Sequence, residues 1–383
     1  MLFLKETKKI VLSIPFLFFL FAVIFIPISQ KIMNFSNHVI TAPKPGEDYG
    51  MQSKELPELI MPAAISRLLY EFETNSYTAY PIGFYKKVKL DESKQRQMAD
   101  ILAKLTKTEH ITYEQFKACM HAADALIGGG SYYSDKHLIS TFGKVPITYE
   151  EALAQYELSK NTDHFTGAYA RLFCDYVGIL LSILPMFLAV AMCLKDRRAG
   201  IKDLICARHI SSFRLIVTRF FAILAAVMLP TLFLAYISNS SIWGMYHGMS
   251  LDYMAPLSYA IVWLLPSAMI SAAVGMFFTE LTGTPVAIAI QSLWWFIDLN
   301  AGTARMHGSY ALLQLSPRHN TLGNTQEFID GFPMLVANRL LFTGIALILV
   351  FAAVIIYEQR RKGNFSGARK SKNSIAGLKN RKK

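Results

Sequence analysis

Long runs without a single charge constrain this chain more than any other feature. Within its 383 residues, six stretches contain no Asp, Glu, Lys or Arg: residues 10–29, 176–194, 220–237, 254–279, 281–297 and 340–357. A helix needs about 20 mostly apolar residues to cross the hydrocarbon core of a bilayer. A single such run is compatible with a buried helix of a soluble protein, but six in one chain read as membrane spans. The fifth has the least definite start, because Gly283 and Pro285 punctuate it. Only residues 280–284 separate it from the fourth, a spacing that predicts a tight hairpin. Composition agrees: 53% of residues are hydrophobic and 17% charged, against about 25% charged in ordinary soluble domains. That balance argues against a cytosolic enzyme and against a largely disordered chain.

The basic residues set the expected orientation, since Lys and Arg gather on the cytoplasmic side. With residue 1 inside, segments 1–9, 195–219, 280–284 and 358–383 are internal and together hold 20 Lys/Arg. The short external loops 238–253 and 298–339 hold 3. Segment 30–175 carries 16 basic and 18 acidic residues, and a segment this long translocates largely regardless of charge. The net charge of +12 is thus placed at the inner membrane surface without invoking nucleic acid. Residues 10–29 exceed a typical signal-peptide core of about 7–15 residues and no A-x-A-like site follows, so an uncleaved anchor is expected. The tail 358–383 is basic and rich in Ser, Asn and Gly. It is read either as a solvated end or as a segment lying near anionic headgroups, where each Lys or Arg contributes about 1 kcal/mol.

Residues 31–175 are expected to form an extracytoplasmic domain, mainly α-helical, after a Pro- and Gly-punctuated linker at 41–50. Met98, Ile101, Leu102 and Leu105 recur at helical spacing within 91–107. Thr112 with Gln115, and Thr148 with Glu151, are capping-box patterns that predict two further helix starts. Glycines 128–130 predict the stop of the helix that Thr112 opens. The fold class that follows is an α-helical polytopic membrane protein with six transmembrane helices and this large domain between helices 1 and 2.

Chemistry-bearing motifs are missing. No G-x-x-x-x-G-K-[ST], H-E-x-x-H or G-x-S-x-G occurs, so the sequence signals neither a phosphate loop, nor a zincin, nor a nucleophile elbow. His110, His121, His137 and His164 lack close ligand spacing and are read as surface or core histidines. Cys193 and Cys206 are expected on the reducing side or at the membrane edge. Cys119 and Cys174 leave a disulfide open, with nothing in their spacing to favour it. Pro15, Pro185, Pro230 and Pro266 fall in four different spans, where proline frees backbone carbonyls and favours kinks. Trp294 and Trp295 are read as an interfacial aromatic belt. Asp175 and Asp298 stand at span ends rather than at depth, and so are not read as proton-relay residues.

The most informative loop follows the second span. Ile201, Leu204 and Ile205 stand at i, i+3 and i+4 with charges between them, which predicts a short amphipathic helix. It either floats on lipid or docks a cytosolic partner. Here the chain resembles the permease subunit of type-2 ATP-binding-cassette (ABC) exporters. The likeness rests on three features: the layout of one helix, a large external insertion and five more helices; the loop with Asp196, Arg197, Arg198 and Gly200, the short helix at 201–207, Ser211, Ser212 and Arg219; and the closing run from Asn338, Arg339 and Leu340 through Tyr357 to the basic exit at 360–362. It covers roughly residues 1–30 and 176–363. The chain departs from the family pattern at Asp196, where Glu is usual, and at Ile210, where a breaker such as Pro precedes the Ser.

The resemblance implies a transport component without catalytic, cofactor-binding or metal residues of its own. A separate cytosolic ATPase would spend the ATP, and a second permease, identical or different, would complete the membrane part. Loop 195–214 would be the coupling loop, with Asp196, Arg197, Gly200, Ile201, Asp203 and Leu204 at the ATPase contact. The cargo path would suit an amphiphilic, lipid-like or peptide substrate, and segment 300–333 would form short re-entrant or capping helices on the outer face. On this reading the domains are 1–30 (cytoplasmic N-terminus and first span), 31–175 (extracytoplasmic), 176–357 (remaining spans) and 358–383 (basic cytoplasmic tail), in a multi-pass cell-membrane protein with both termini inside. Its partners are the ATPase, the second permease and membrane lipids, not nucleic acid. The rival reading is a membrane-anchored receptor or envelope assembly factor that uses the external domain to bind a ligand or partner.

Overall fold

Proline placement explains much of how the apolar runs are laid out in the computed structural model, which describes residues 2–33, 39–81, 84–107, 111–198, 210–303 and 310–362. Pro15 does not merely bend the first run; it starts a new helix. Helix α1 (Leu2–Val11) ends before Ser13, whose hydroxyl caps α2 (Ile14–Ser29) by accepting from Phe16 N, and the two axes meet at 69°. α1 is amphipathic, burying Glu6 and Ile10 and leaving Phe3 and Leu4 exposed. The kink that Pro15 led one to expect in the first run, 10–29, is therefore a sharp break between two helices.

The chain forms two units: Met1–Ile40 with Leu158–Asp298 and Tyr310–Lys383, and Thr41–Glu157 with Leu299–Ser309. In the second unit, the described elements are β1 (Met51–Ser53), α3 (Pro57–Glu73), β2 (Tyr77–Ala79), β3 (Lys86–Val88), α4 (Glu92–Lys107), α5 (Tyr113–Ile127), α6 (Asp135–Phe142), β4 (Lys144–Pro146) and most of α7 (Tyr149–Asn161). β1 pairs antiparallel with β4, and β2 with β3. Met98, Ile101, Leu102 and Leu105 are buried together with Ile60, Leu68, Phe116, Met120 and Tyr133 in one core. Both capping boxes form: Gln115 N donates to Thr112 Oγ1 at 3.3 Å, and Glu151 N to Thr148 Oγ1 at 3.3 Å. α5 stops at Gly128, where φ is +109°. Gly130, at φ +71°, lies so close to the Tyr80 carbonyl that a Cβ would sit 2.8 Å from its oxygen. The unit is mainly helical, but the two ribbons and α3 left no pattern that the sequence reading recognised, because three-residue strands are too short to show a period.

The first unit contains the long apolar helices. α8 (Thr166–Leu181) and α9 (Leu184–Arg198) join at Ser182 and Ile183, just before Pro185, and run nearly continuously from Thr166 to Lys195. α10 is Ser212–Met245 and continues through Pro230. α11 (Ala255–Tyr259) leads through a π-helical turn, Ala260–Leu264, into α12 (Leu265–Thr282), whose first turn holds Pro266. α13 (Val286–Thr303) and α14 (Thr325–Arg361) follow. Four helices are long and apolar enough to cross a membrane, and the α1–α2 pair is a fifth. Over the fifth apolar run, Val286–Asn300 is a shorter apolar helix than these.

Two boundaries differ from the sequence reading for physical reasons. α8 begins well before residue 176 because the charges that seemed to end the span, Arg171 and Asp175, are buried and satisfied inside it. Among its described residues, segment 300–333 is not a set of short helices: residues 310–324 carry no helix or strand, and α14 is continuous through Pro333. α12 packs tightly on α9, and Gly275 allows it, since a Cβ there would lie 2.8 Å from Ala189 Cβ and 2.9 Å from Met186 O. No disulfide joins Cys119 to Cys174. Cys206 and His110 lie outside the described residues.

Candidate functional site

The helices of the first unit meet at two ends with different chemistry. One end gathers α1, the close of α9, the start of α10, the 281–284 turn and the close of α14. There Arg219 Nε donates to Glu6 at 3.1 Å, Ser212 Oγ donates to Glu358, Arg361 Nη1 reaches Ile210 O at 2.7 Å and Arg360 Nη2 reaches Leu281 O at 2.9 Å. Residues 199–209 depart from this end. Asp196 and Arg197 stand in the last turn of α9, whereas Gly200, Ile201, Asp203 and Leu204 lie outside the described residues. The helix expected at 201–207 lies outside them too, as does the tail beyond Lys362.

The other end is a polar clamp. Asp163 stands before α8, in a turn where His164 and Phe165 take positive φ (+48° and +57°). Its carboxylate receives both guanidinium nitrogens of Arg171, Nη2 at 2.6 Å, and the Thr325 hydroxyl at 2.6 Å. Arg171 is fully buried, donates also to Tyr259 OH at 3.2 Å and stacks its guanidinium on Phe328 at 4.4 Å. One planar, doubly hydrogen-bonded ion pair therefore pins α8, α11 and α14 together.

One turn along α8, Asp175 accepts the backbone N–H groups of His319 and Asn320, both at 2.8 Å. Asp298 of α13 accepts those of Leu315 and Ser316 at 2.8 and 3.0 Å. The carbonyls of the same segment are met by donors. Asn338 Nδ2 donates to Ala311 O, Leu312 O and Gln314 O at 2.8–2.9 Å. Arg339 donates to Gln314 O and Leu315 O at 3.3 and 3.4 Å, to Ser267 Oγ at 2.7 Å and to Trp263 O in the π turn at 3.1 Å. Trp263 Nε1 closes the set on Pro317 O at 3.1 Å. Irregular backbone amid apolar helices persists only where protein groups replace the missing water; here side chains from α8, α12, α13 and α14, and from the π turn, do so. Burial also pushes the Tyr310 hydroxyl above its ordinary pKa.

Asp175 and Asp298 are thus neither relay residues nor idle ends: each carboxylate holds two amides. Trp294 and Trp295 do not form an exposed belt. Trp295 Nε1 donates to Ile179 O at 2.9 Å beside the α8–α9 break, and Trp294 stacks on Phe342. The sequence carried a signal for the clamp: the charges 163, 171, 175, 298 and 339 stand beside or within apolar runs, where an ionisable residue costs too much to be idle. No nucleophile–base arrangement accompanies them, and among the described residues no group of His, Cys, Asp and Glu is placed to hold a metal ion.

A helical membrane domain with a discrete loop-bearing end and no catalytic constellation fits a transport component, and the family comparison decides which. Residues 76–299 match the family model described as ABC-2 family transporter protein. The chain belongs to the ABC-2 transporter family. The match starts inside the second unit and stops before α14, so it takes in part of the insertion that carried no recognisable motif. No curated protein and no solved structure matches the chain. ABC-2 family membership makes the chain the permease of a multi-pass membrane transporter rather than a catalytic enzyme, and implies an ATPase as its working partner.

Proposed function

We propose that the chain is the permease subunit of an ABC exporter that moves an amphiphilic, lipid-like or peptide substrate, driven by a separate cytosolic ATPase and completed by a second permease. The observation that carries this reading is the convergence of α1, α9, α10 and α14 at the end from which residues 199–209 depart. A push on that loop acts at once on four helices. In this proposal loop 195–214 docks on the ATPase through Asp196, Arg197, Gly200, Ile201, Asp203 and Leu204. The chain crosses the membrane six times, by α2, α8–α9, α10, α11–α12, α13 and α14. Both termini are cytoplasmic, and residues 31–175 are extracytoplasmic.

Closure of the ATPase dimer would tilt α9 and α10 and load the clamp at their far ends. The clamp is suited to two discrete states, because a fully satisfied polar network does not stretch but breaks and re-forms. Release of segment 310–320 would then open the outer mouth. The test is Leu204→Asp in the full chain. A buried Leu contributes about 1.5–3 kcal/mol, and a charge in its pocket adds desolvation. The variant should insert and melt normally, yet fail to copurify with the ATPase and lose transport-coupled ATP hydrolysis. Undiminished ATPase association would rule out docking by this loop.

A further inference from the structure

The loop-bearing end contains a small, partly open cleft of about 40 Å³ between α1, α9 and α10. Its polar lining is Glu6, Lys9, Lys195 and Arg219, with Ser13 at the α1–α2 bend. Glu6 is already committed: it is 2% exposed and bound to Arg219 at 3.1 Å and to Lys9 at 2.5 Å. One carboxylate against three cations leaves the cleft with an excess of two positive charges, and the lysines stand at its open side. The remaining wall is apolar, built from Ile10, Leu188 and Met192. Immediately beside Ser13, Leu12 and Ile14 are 74% and 69% exposed, an apolar surface of the kind acyl chains cover. The cleft thus sits where a cationic pocket borders an apolar surface. A free anion would use only the first half of that lining, whereas a phospholipid uses both.

We propose that this cleft binds the phosphate head of an anionic phospholipid, with Lys9 and Lys195 as its charge partners and the acyl chains against α1 and α2. The bound head bridges α1 to the close of α9 and so ties the lipid to the segment that leads into residues 199–209. The site requires only that the chain lie in a membrane, and so stands or falls separately from ATPase docking.

The test uses the purified, delipidated full chain. Phosphatidylglycerol, phosphatidylcholine and inorganic phosphate are added in turn, and lipid retention by native mass spectrometry and the melting temperature are read. Phosphatidylglycerol should be retained and should raise the melting temperature; phosphatidylcholine and phosphate should do neither. Lys9→Gln with Lys195→Gln should cut phosphatidylglycerol retention about tenfold or more, without changing the melt in phosphatidylcholine. Lys9→Arg with Lys195→Arg should restore it. Lys5→Gln with Lys8→Gln removes the same charge from the exposed face of α1 and should leave retention nearly unchanged. Equal losses in the two Gln pairs would reduce the effect to diffuse attraction and overturn the site. Equal protection by inorganic phosphate would overturn the lipid as its occupant.

Discussion

The two ends of the helical bundle spend their charges differently. At the clamped end, Asp163, Arg171, Asp175, Asn338 and Arg339 are all at most 5% exposed, and apart from one ion pair their work is to satisfy backbone, the irregular segment 310–320 above all. At the loop-bearing end the Glu6–Arg219 pair is likewise buried, but the side chains around it tie helix to helix at the surface, and Glu358 and Lys362 are 36% and 60% exposed. A buried network fails as a whole when one member is lost, whereas exposed pairs contribute about 0–1 kcal/mol each. In the mechanism proposed above, the contrast would separate a latch, which holds one closed arrangement until it releases, from a coupling surface, which must shift without a large cost.

The largest expected effect lies in the latch. Arg171→Met leaves Asp163 as an uncompensated buried charge and should cost about 3–5 kcal/mol, seen as a large fall in the detergent melting temperature. Adding Asp163→Leu should recover most of it; a double variant no better than Arg171→Met would show that the ion pair is not the unit that matters. Next, Asp175→Leu deprives two backbone amides of their acceptor, at about 1–3 kcal/mol each. Hydrogen exchange should accelerate at His319 and Asn320 more than at any amide of α10. At the opposite end, Ser212→Ala should cost no more than about 1.5 kcal/mol while weakening ATPase coupling. A melting penalty equal to that of Arg171→Met would erase the distinction between latch and coupling surface.

The smallest effect is a control outside the bundle. In the second unit, burial raises the Glu71 carboxyl above its ordinary value of 4.5, outweighing the Tyr133 and Arg67 contacts that lower it. The native state therefore holds this proton more tightly than the unfolded chain. The associated stability is complete below pH 4.5 and is lost as pH rises through the raised native value. Glu151 behaves oppositely: its bonds to Lys54 and the Thr148 amide lower it to about 2, so its contribution is present above pH 4.5 and lost as pH falls through about 2. Hydrogen-exchange protection of α3 to α6 should fall as pH rises above 4.5 relative to Glu71→Gln, with no matching change in α8.

The sequence disclosed what is periodic or local. Uncharged runs located the apolar helices, Thr112 with Gln115 located α5, and Met98 to Leu105 named the buried face of α4. What stayed hidden depends on contacts between distant residues. Nothing near Arg171 says that Asp163 and Phe328 will enclose it, so a charge count started the helix too late. Asp298 and Asp175 looked terminal because their partners are backbone amides 17 and 144 residues away, which have no side-chain signature. The β ribbons escaped because three residues cannot display a period. The bend at Ser13 was half legible: Pro15 announced a kink, but a capped new helix requires the Ser13 hydroxyl to meet the Phe16 amide.

The break between α8 and α9 has a consequence for biogenesis. α13 is an apolar helix that carries Gln291, whose amide needs a partner in a dry environment. That partner is Ser182 O at 2.6 Å, and Trp295 similarly uses Ile179 O, carbonyls that bracket the joint just before Pro185. Under the proposed six-span topology, Gln291 and Trp295 would find these acceptors only once α8 and α9 are in place, so α13 would settle in the membrane after them.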